Sequence, residues 1–485
     1  MVEQLSKSRV LAGLQCSKRL YLETHRSDLL GQMAGEPDLL RQHHGQEVGE
    51  VARRMRPNGR LIDPNQDAAS AIKETKDLMA SASGPLFEAC FSHDGLTVRA
   101  DVIETGWLIE VKSSTSVKKD PPQHLEDVAV QAWVMEAAGY KLDGIAIEHV
   151  DNGFVLQEPG DYRGLLHTED VTESVRELMQ YVPEWLADLR STLAQTDIPT
   201  VPVGDHCKHP YNCPFIPVCW PEPSEYPVED LPQGRRIAQA LRAEGFEDLR
   251  QVPAERLAKD KHKRVHAAVV NGEPYIDPAL GDCLRDLAYP RSYLDFETIN
   301  FAVPRWVGTK PYNQVPFQWS LHVDYGAGEP EHREFLDISG NSPLRALSEE
   351  LVKAVPGEGP VLVYNKSFES GVLNLLIELV PDQAKGLWSI KERLYDLWPL
   401  FKEHYYHPDM HGSWSLKKVL PTLSTDVDYD DLDDDVASGT GAQAAYLEAI
   451  SGTADSERIH QIDSDLRAYC RFDTLAMVRM VDAMS

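Results

Sequence analysis

Seven residues in the second half of the chain, Arg291-Ser292-Tyr293-Leu294-Asp295-Phe296-Glu297, alternate in the way that suits an extended strand. On a strand, residues two apart project from one face, so Asp295 and Glu297 can converge on a single ion. Hard carboxylate oxygens of this kind suit Mg²⁺ or Mn²⁺. Near the C-terminus a helix expected over Leu466 to Met484 carries Tyr469 and Asp473 at i, i+4, which puts phenol and carboxylate on one helical face. Between the two lies Val361-Leu362-Val363-Tyr364-Asn365-Lys366-Ser367-Phe368-Glu369, a β-branched strand running into a turn and a helix that opens with an acid. Leu416-Lys417-Lys418-Val419-Leu420 begins another amphipathic element. An isolated Asp-x-Glu is often a solvated strand face; the whole set reads as a grip on two divalent metals suited to phosphodiester hydrolysis.

The order and spacing of these pieces over about residues 289 to 485 resemble the DnaQ-like 3′-5′ exonucleases of the DEDDy type, which have an RNase H-like fold. By that resemblance Asp295, Glu297 and Asp473 hold the two metals and Tyr469 orients the attacking water. The family's middle Asp is a Glu here, Glu369, one methylene longer, and Asp396 in Tyr395-Asp396-Leu397 is an alternative ligand.

A second constellation lies upstream. Leu96-Thr97-Val98-Arg99-Ala100-Asp101-Val102-Ile103 and Trp107-Leu108-Ile109-Glu110-Val111-Lys112 read as two strands of a hairpin joined by a Gly-containing turn, with Asp101 facing Glu110 and Lys112. Two carboxylates can bind a metal, and the ammonium can stabilise phosphate charge or hold water. This pattern resembles the PD-(D/E)XK nucleases, and the following helix, with Gln131 and then Tyr140, is similar to their RecB-like branch. The resemblance implies a restriction-endonuclease-like fold. One departure stands out: the branch commonly has a His four residues after a Gly in an early helix, whereas Gly45 is followed at that distance by Gly49, with His43 and His44 close by.

Of seven cysteines, Cys16 stands alone near the N-terminus and Cys207, Cys213 and Cys219 share a Pro-rich loop that needs an external staple. Tight C-x₂-C pairs, the usual mark of a Cys₄ zinc site, are missing, so cluster, zinc and free thiols stay open on spacing alone. One early and three late cysteines resemble the iron-sulfur RecB-like nucleases, the CRISPR-associated and AddB-type proteins among them, and imply a 4Fe-4S cluster on Cys16, Cys207, Cys213 and Cys219. Cys90, Cys283 and Cys470 are expected to be buried fillers, and disulfides are not expected.

At 485 residues two or three domains are expected. The reading is α/β: a restriction-endonuclease-like domain over 1–220, a helical connector over 221–288 and the RNase H-like domain over 289–485. The connector's basic run, Lys259 to Arg264, reads as a solvated helix end. No stretch is long and apolar enough for a membrane helix, so a cytoplasmic, membrane-free setting is expected. The formal charge of −29 argues against a generic nucleic-acid coat, since cations drive such binding. A local basic groove from Arg53, Arg54, Arg56, Arg99, Lys112, Lys118 and Lys119 is nonetheless expected, and the acidic run Asp426 to Asp435 is expected to be a solvated loop. The expected partner is nucleic acid, DNA rather than RNA, with a helicase or defence-complex protein as a further partner. Two rivals remain: a single C-terminal centre beside a DNA-binding N-terminal domain, and a scaffold with vestigial sites.

Overall fold

The computed structural model describes residues 5–29, 36–81, 84–220, 222–424, 429 and 438–485. Two compact units result: Met1–Pro221 with Phe301–Tyr312, and Glu222–Asn300 with Asn313–Ser485. Each is a mixed sheet with helices, the α/β class expected. The stretch 222–288, expected as a connector apart, lies within the second unit, and the segment 301–312, expected with the C-terminal strands, belongs to the first. Local contacts accompany both placements. Ala302 and Val303 join Val48, Val51, Val150 and Leu165 in one apolar cluster, while His411 meets Asp230 at 3.0 Å in the second unit. The acidic run Asp426 to Asp435 falls, but for Tyr429, outside the described residues.

The first unit contains β1 (Leu5–Ser6), β2 (Arg60–Leu61), β3 (Leu86–His93), β4 (Leu96–Glu104), β5 (Trp107–Lys112), β6 (Gly144–Val150) and β7 (Leu166–Asp170), in the order β2-β3-β4-β5-β6-β7 with β1 beside β4. The expected hairpin is β4–β5, antiparallel through Val102–Ile109. Its two-residue turn, Thr105-Gly106, has φ of 47° and 84°, the pair of left-handed conformations that a tight hairpin turn matched to strand twist requires. From β5 the chain crosses through the helix Gln123–Ala137 to parallel β6. That helix is buried along most of its length, so Asp127 and Gln131, one turn apart, are carried inward against the sheet.

In the second unit β9 (Arg291–Ile299) is the central strand of a sheet ordered β11-β10-β9-β12-β13, where β10 is Val315–Asp324, β11 is Glu331–Leu336, β12 is Val361–Val363 and β13 is Leu394–Asp396. A separate ribbon pairs β8 (Tyr275–Ile276) with β14 (Tyr405–Tyr406). Every residue of β10 is buried, as in a strand covered on both faces. The register slips between Pro316 and Gln318, and Gln318 pairs with Glu297, so an irregularity sits beside an acidic site residue. The helix Ser456–Met484 packs on β9 and β10. It starts well before the expected Leu466, because Asp455 accepts the Arg458 amide at 2.9 Å and Glu457 occupies the positive first turn. Among the described residues no helix is long and apolar enough to cross a membrane.

Candidate functional site

In the second unit a cavity of about 610 Å³ is lined by Asp295, Glu369, Tyr469 and Asp473 together with Tyr364, Asn365, Phe368, Trp398, Lys417 and Tyr429. Glu297 lies beside it, its carboxylate grouped with Asp295 and the Cys470 thiol so that the three ligand atoms fall within 4.8 Å of one another. Central β9 supplies the first pair, the first turn of the helix Lys366–Leu379 supplies Glu369, and the long C-terminal helix supplies Tyr469 and Asp473. The fold therefore brings all five expected residues together.

Packing this many acids under cover is costly unless protons or cations share the site. Burial, reinforced by the Asp473 charge, holds Asp295 well above the usual carboxylate range, and burial with Asp295 and Asp473 does the same to Glu297. Burial lifts Asp473 to about 6, against hydrogen bonds from Tyr429 and Tyr469. Glu369 rises to about 9 through burial and the Asp295 charge. Its Oε2 is buried and, among the described residues, has no hydrogen-bond partner. Lys417 counters the acids, with its ammonium 5.4 Å from the Tyr429 ring and 5.5 Å from that of Tyr469. Asp396, the alternative ligand, is used otherwise: it caps one helix through the Trp398 amide at 3.1 Å and accepts the Lys366 amide at 3.1 Å.

The raised carboxyls give the metal-free protein a definite pH dependence. Their folded values exceed the unfolded ones, so the stability they contribute is full below about pH 4 and is lost as pH rises through about 6 to 9. The thermal midpoint of metal-free protein is expected to fall between about pH 5 and pH 8, and Mn²⁺ is expected to restore it mainly at the higher pH. Melts at both pH values, with Mn²⁺ or chelator, check this.

In the first unit a cavity of about 720 Å³ is lined by Asp101, Glu110 and Glu88, with Gln46, Gly49, Glu50 and Arg53 from the helix Glu36–Arg54. Asp101 accepts the Val111 amide at 2.8 Å, and burial with the neighbouring Glu110 charge raises it to about 7. Lys112 contacts Glu110 at 2.7 Å and Asp127 at 2.5 Å, and Lys7 contacts the same two acids at 3.0 and 2.9 Å. Gln131 donates to Glu110 at 2.6 Å. Asp127 and Lys7 escaped the sequence reading, although Asp127 lies one helical turn before Gln131. Glu88 escaped too: it adopts φ of 56° between the Phe87–Val102 and Ala89–Ala100 pairs, a left-handed kink inside a strand that no pattern announces. Tyr140 instead packs its ring 5.9 Å from Phe91 in the core. Neither neighbouring histidine fills the gap left by Gly49. His44 is buried with its ring 5.8 Å from Tyr312, and His43 pairs with Glu47 at 3.6 Å.

Most of the cations expected in a local basic groove have acidic or carbonyl partners. Arg56 binds Glu104 and Glu148, Arg53 lies 4.0 Å from Glu88, Lys119 binds Glu169, and Arg99 donates to the carbonyls of Asp63 and Gln66. Arg54 sits 3.7 Å from Glu50. In the second unit Arg264 and Lys263 of the other basic run likewise meet Glu403 and Asp260.

Cys16, Cys207, Cys213 and Cys219 line one small enclosed cavity. The loop is drawn toward the early helix by Gln15, which donates to the carbonyls of His206 and Tyr211 at 2.7 Å each. Among the described residues no three of these sulfurs fall within 4.8 Å of one another. A tetrahedral zinc ion would hold sulfurs about 3.8 Å apart, closer than any three of these four lie. Of the expected fillers, Cys90 is buried and Cys470 is buried but aimed at Asp295 at 3.6 Å, while Cys283 is exposed, since the short helix Ala279–Arg285 turns that face outward.

Residues 292–415 match a family described as a domain of unknown function, DUF2779. This span carries Asp295, Glu297 and Glu369 but stops before Tyr469 and Asp473. An uncharacterised protein of Ureaplasma parvum is 26% identical over 231 residues, covering 43% of this chain and 33% of the relative. An uncharacterised protein of Mycoplasma pneumoniae is 29% identical over 209 residues, 38% of this chain and 31% of the relative. One of Mycoplasma genitalium is 25% identical over the same length, covering 39% and 31%. The chain thus spans about a third of the length of the curated relatives it matches. No solved structure matches.

Proposed function

We propose that the chain is a metal-dependent nuclease with a hydrolytic centre in each unit, acting on the ends of single-stranded DNA in repair or defence. The second unit is read as the RNase H-like, DnaQ-type exonuclease and the first as the restriction-endonuclease-like, RecB-type nuclease stapled by a 4Fe-4S cluster on its four cysteines. One observation carries the reading: Asp295, Glu369 and Asp473 converge with Tyr469 at a single cavity, Glu297 lies beside Asp295, and among the described residues one buried Glu369 oxygen has no partner.

Mg²⁺ or Mn²⁺ bound there would supply activation of water and stabilisation of the leaving oxygen. The residues themselves do the rest. Asp295, Glu297 and Asp473 offer carboxylate oxygens, Glu369 offers its orphaned one, and Tyr469 orients the water. Lys417, in the cavity wall, balances charge. Phe368 and the 37% exposed Trp398 give an apolar wall on which a terminal base can stack. In the first unit Asp101 and Glu110 would hold the metal while Lys112 and Gln131 fix the Glu110 carboxylate. Cations tied up in ion pairs fit an enzyme that engages a short strand end rather than a long duplex.

A second reading keeps only the C-terminal centre active and leaves the first unit to bind nucleic acid. It is favoured by Gly49 standing where a His ligand is missing, and by Lys112 being committed to two acids.

Cleavage of 5′- and 3′-labelled single-stranded DNA and RNA by anaerobically purified protein tests both, comparing wild type with Asp295→Asn and Glu110→Gln in Mg²⁺ or Mn²⁺, with iron and sulfide assayed on the same sample. Two product patterns, each removed by one substitution, support two centres; loss with Asp295→Asn alone supports the second reading. An inert wild type with full metal present sinks both.

A further inference from the structure

Cys470 follows Tyr469 on the C-terminal helix and precedes Asp473 by three residues, between two side chains that line the second-unit cavity. It is fully buried, its Sγ 3.6 Å from Asp295 Oδ2. Among the described residues, Asp295, Glu297 and Cys470 are the one set of His, Cys, Asp and Glu side chains whose ligand atoms all fall within 4.8 Å. A few ångströms is the separation that neighbouring ligands of one ion adopt. An independent observation points to a cation beside Asp295: Glu369, 3% exposed and lining the cavity with Asp295, has an oxygen that among the described residues finds no hydrogen-bond partner.

The chemistry of the third donor matters more than its presence. Two hard oxygens alone would select for Mg²⁺ or Mn²⁺, whereas one polarizable sulfur among them shifts preference toward Zn²⁺ and Cd²⁺. A thiol is also a weak hydrogen-bond donor, so its placement against two carboxylates does little for stability that a methyl group and a water would not. We propose that Cys470 makes this centre a mixed carboxylate–thiolate site, which captures Zn²⁺ or Cd²⁺ through Asp295, Glu297 and Cys470 in competition with the harder ion. On capture the Cys470 S–H bond breaks, the proton leaves to solvent and a sulfur–metal bond forms with no change of oxidation state. The ion then occupies the carboxylates needed for hydrolysis, so thiophilic metals act as inhibitors. That last consequence rests on the nuclease reading; the binding itself does not.

The probe is Cd²⁺, added to full-length protein purified anaerobically with its other cysteines in their native state. Affinities for Cd²⁺ and Mn²⁺ are measured by calorimetry in wild type, Cys470→Ser and Cys470→Ala, and the sulfur-to-cadmium charge-transfer absorption is recorded in each. Both substitutions are expected to lower Cd²⁺ affinity at least about tenfold more than Mn²⁺ affinity and to remove one increment of the absorption. Equal changes for the two metals, or an absorption increment that survives in Cys470→Ser, overturn the proposal. The wild-type spectrum and the near-isosteric Cys470→Ser keep the test decisive should Cys470→Ala misfold. Cleavage in Mn²⁺ is followed on the same samples. Cys470-dependent Cd²⁺ binding without any cleavage upholds this site and sinks the nuclease reading, whereas cleavage with Cys470-independent Cd²⁺ binding sinks this site alone.

Discussion

Asp295→Asn is expected to lower metal-dependent hydrolysis at the second-unit centre by about a thousandfold or more, because a direct ligand supplies several kcal/mol of transition-state stabilisation. The same change is expected to stabilise the metal-free protein. Asp295 is buried on the central strand and held well above the usual carboxylate range by burial and by Asp473. A neutral amide of nearly the same shape removes that repulsion while its oxygen still accepts the Cys470 thiol. Relief of about 1 kcal/mol corresponds to a rise of about 2–4 °C in the thermal midpoint of a unit this size. Activity lost with stability gained separates a functional acid from a structural one, since a structural carboxylate would lose both. A calorimetric scan in chelator, beside the cleavage assay, reads the two signs; a fall in midpoint would make Asp295 part of the scaffold.

Lys112→Met is the largest expected loss of stability, about 3 kcal/mol in the first unit, since removing one partner from a buried ion pair strands the other. Two ammoniums, Lys112 and Lys7, face two carboxylates, Glu110 and Asp127, with Gln131 completing the network. The variant leaves one positive charge between two buried negatives. Loss of cleavage in Lys112→Met alone would therefore say little about chemistry. The double variant Lys112→Met/Asp127→Asn is expected to recover most of the stability without recovering any first-unit cleavage, and denaturant melts of the single and double variants measure the coupling. Recovery of cleavage along with stability would assign Lys112 to folding only.

Much of the second-unit centre was legible because its signals are local. Alternation along β9 sets the direction of Asp295 and Glu297, and helical spacing pairs Tyr469 with Asp473. The aim of Cys470 was not legible, for a physical reason. On a helix it lies about 60° from Asp473, and only the way the helix crosses β9 decides whether that direction meets apolar core or Asp295. Lys7 is a long-range partner for Glu110, more than a hundred residues away in sequence, and no pattern of its own helix announces it. Glu88 depends on one left-handed residue, which alternation cannot foresee. The ion pairs of the upstream cations have the same origin: sequence shows where cations are, whereas the fold chooses the acids they meet.

The polypeptide passes from one unit to the other after residues 221, 300 and 312. A single break in the gene at the first crossing would leave the N-terminal product without Ala302 and Val303, and so with an open seam beside Val48, Val51, Val150 and Leu165. The strand bearing Asp295 and Glu297 runs out within two residues into that borrowed segment. Neither half is a cassette that recombination can lift out, duplicate or exchange with one cut. Both acidic clusters are carried on one interleaved frame.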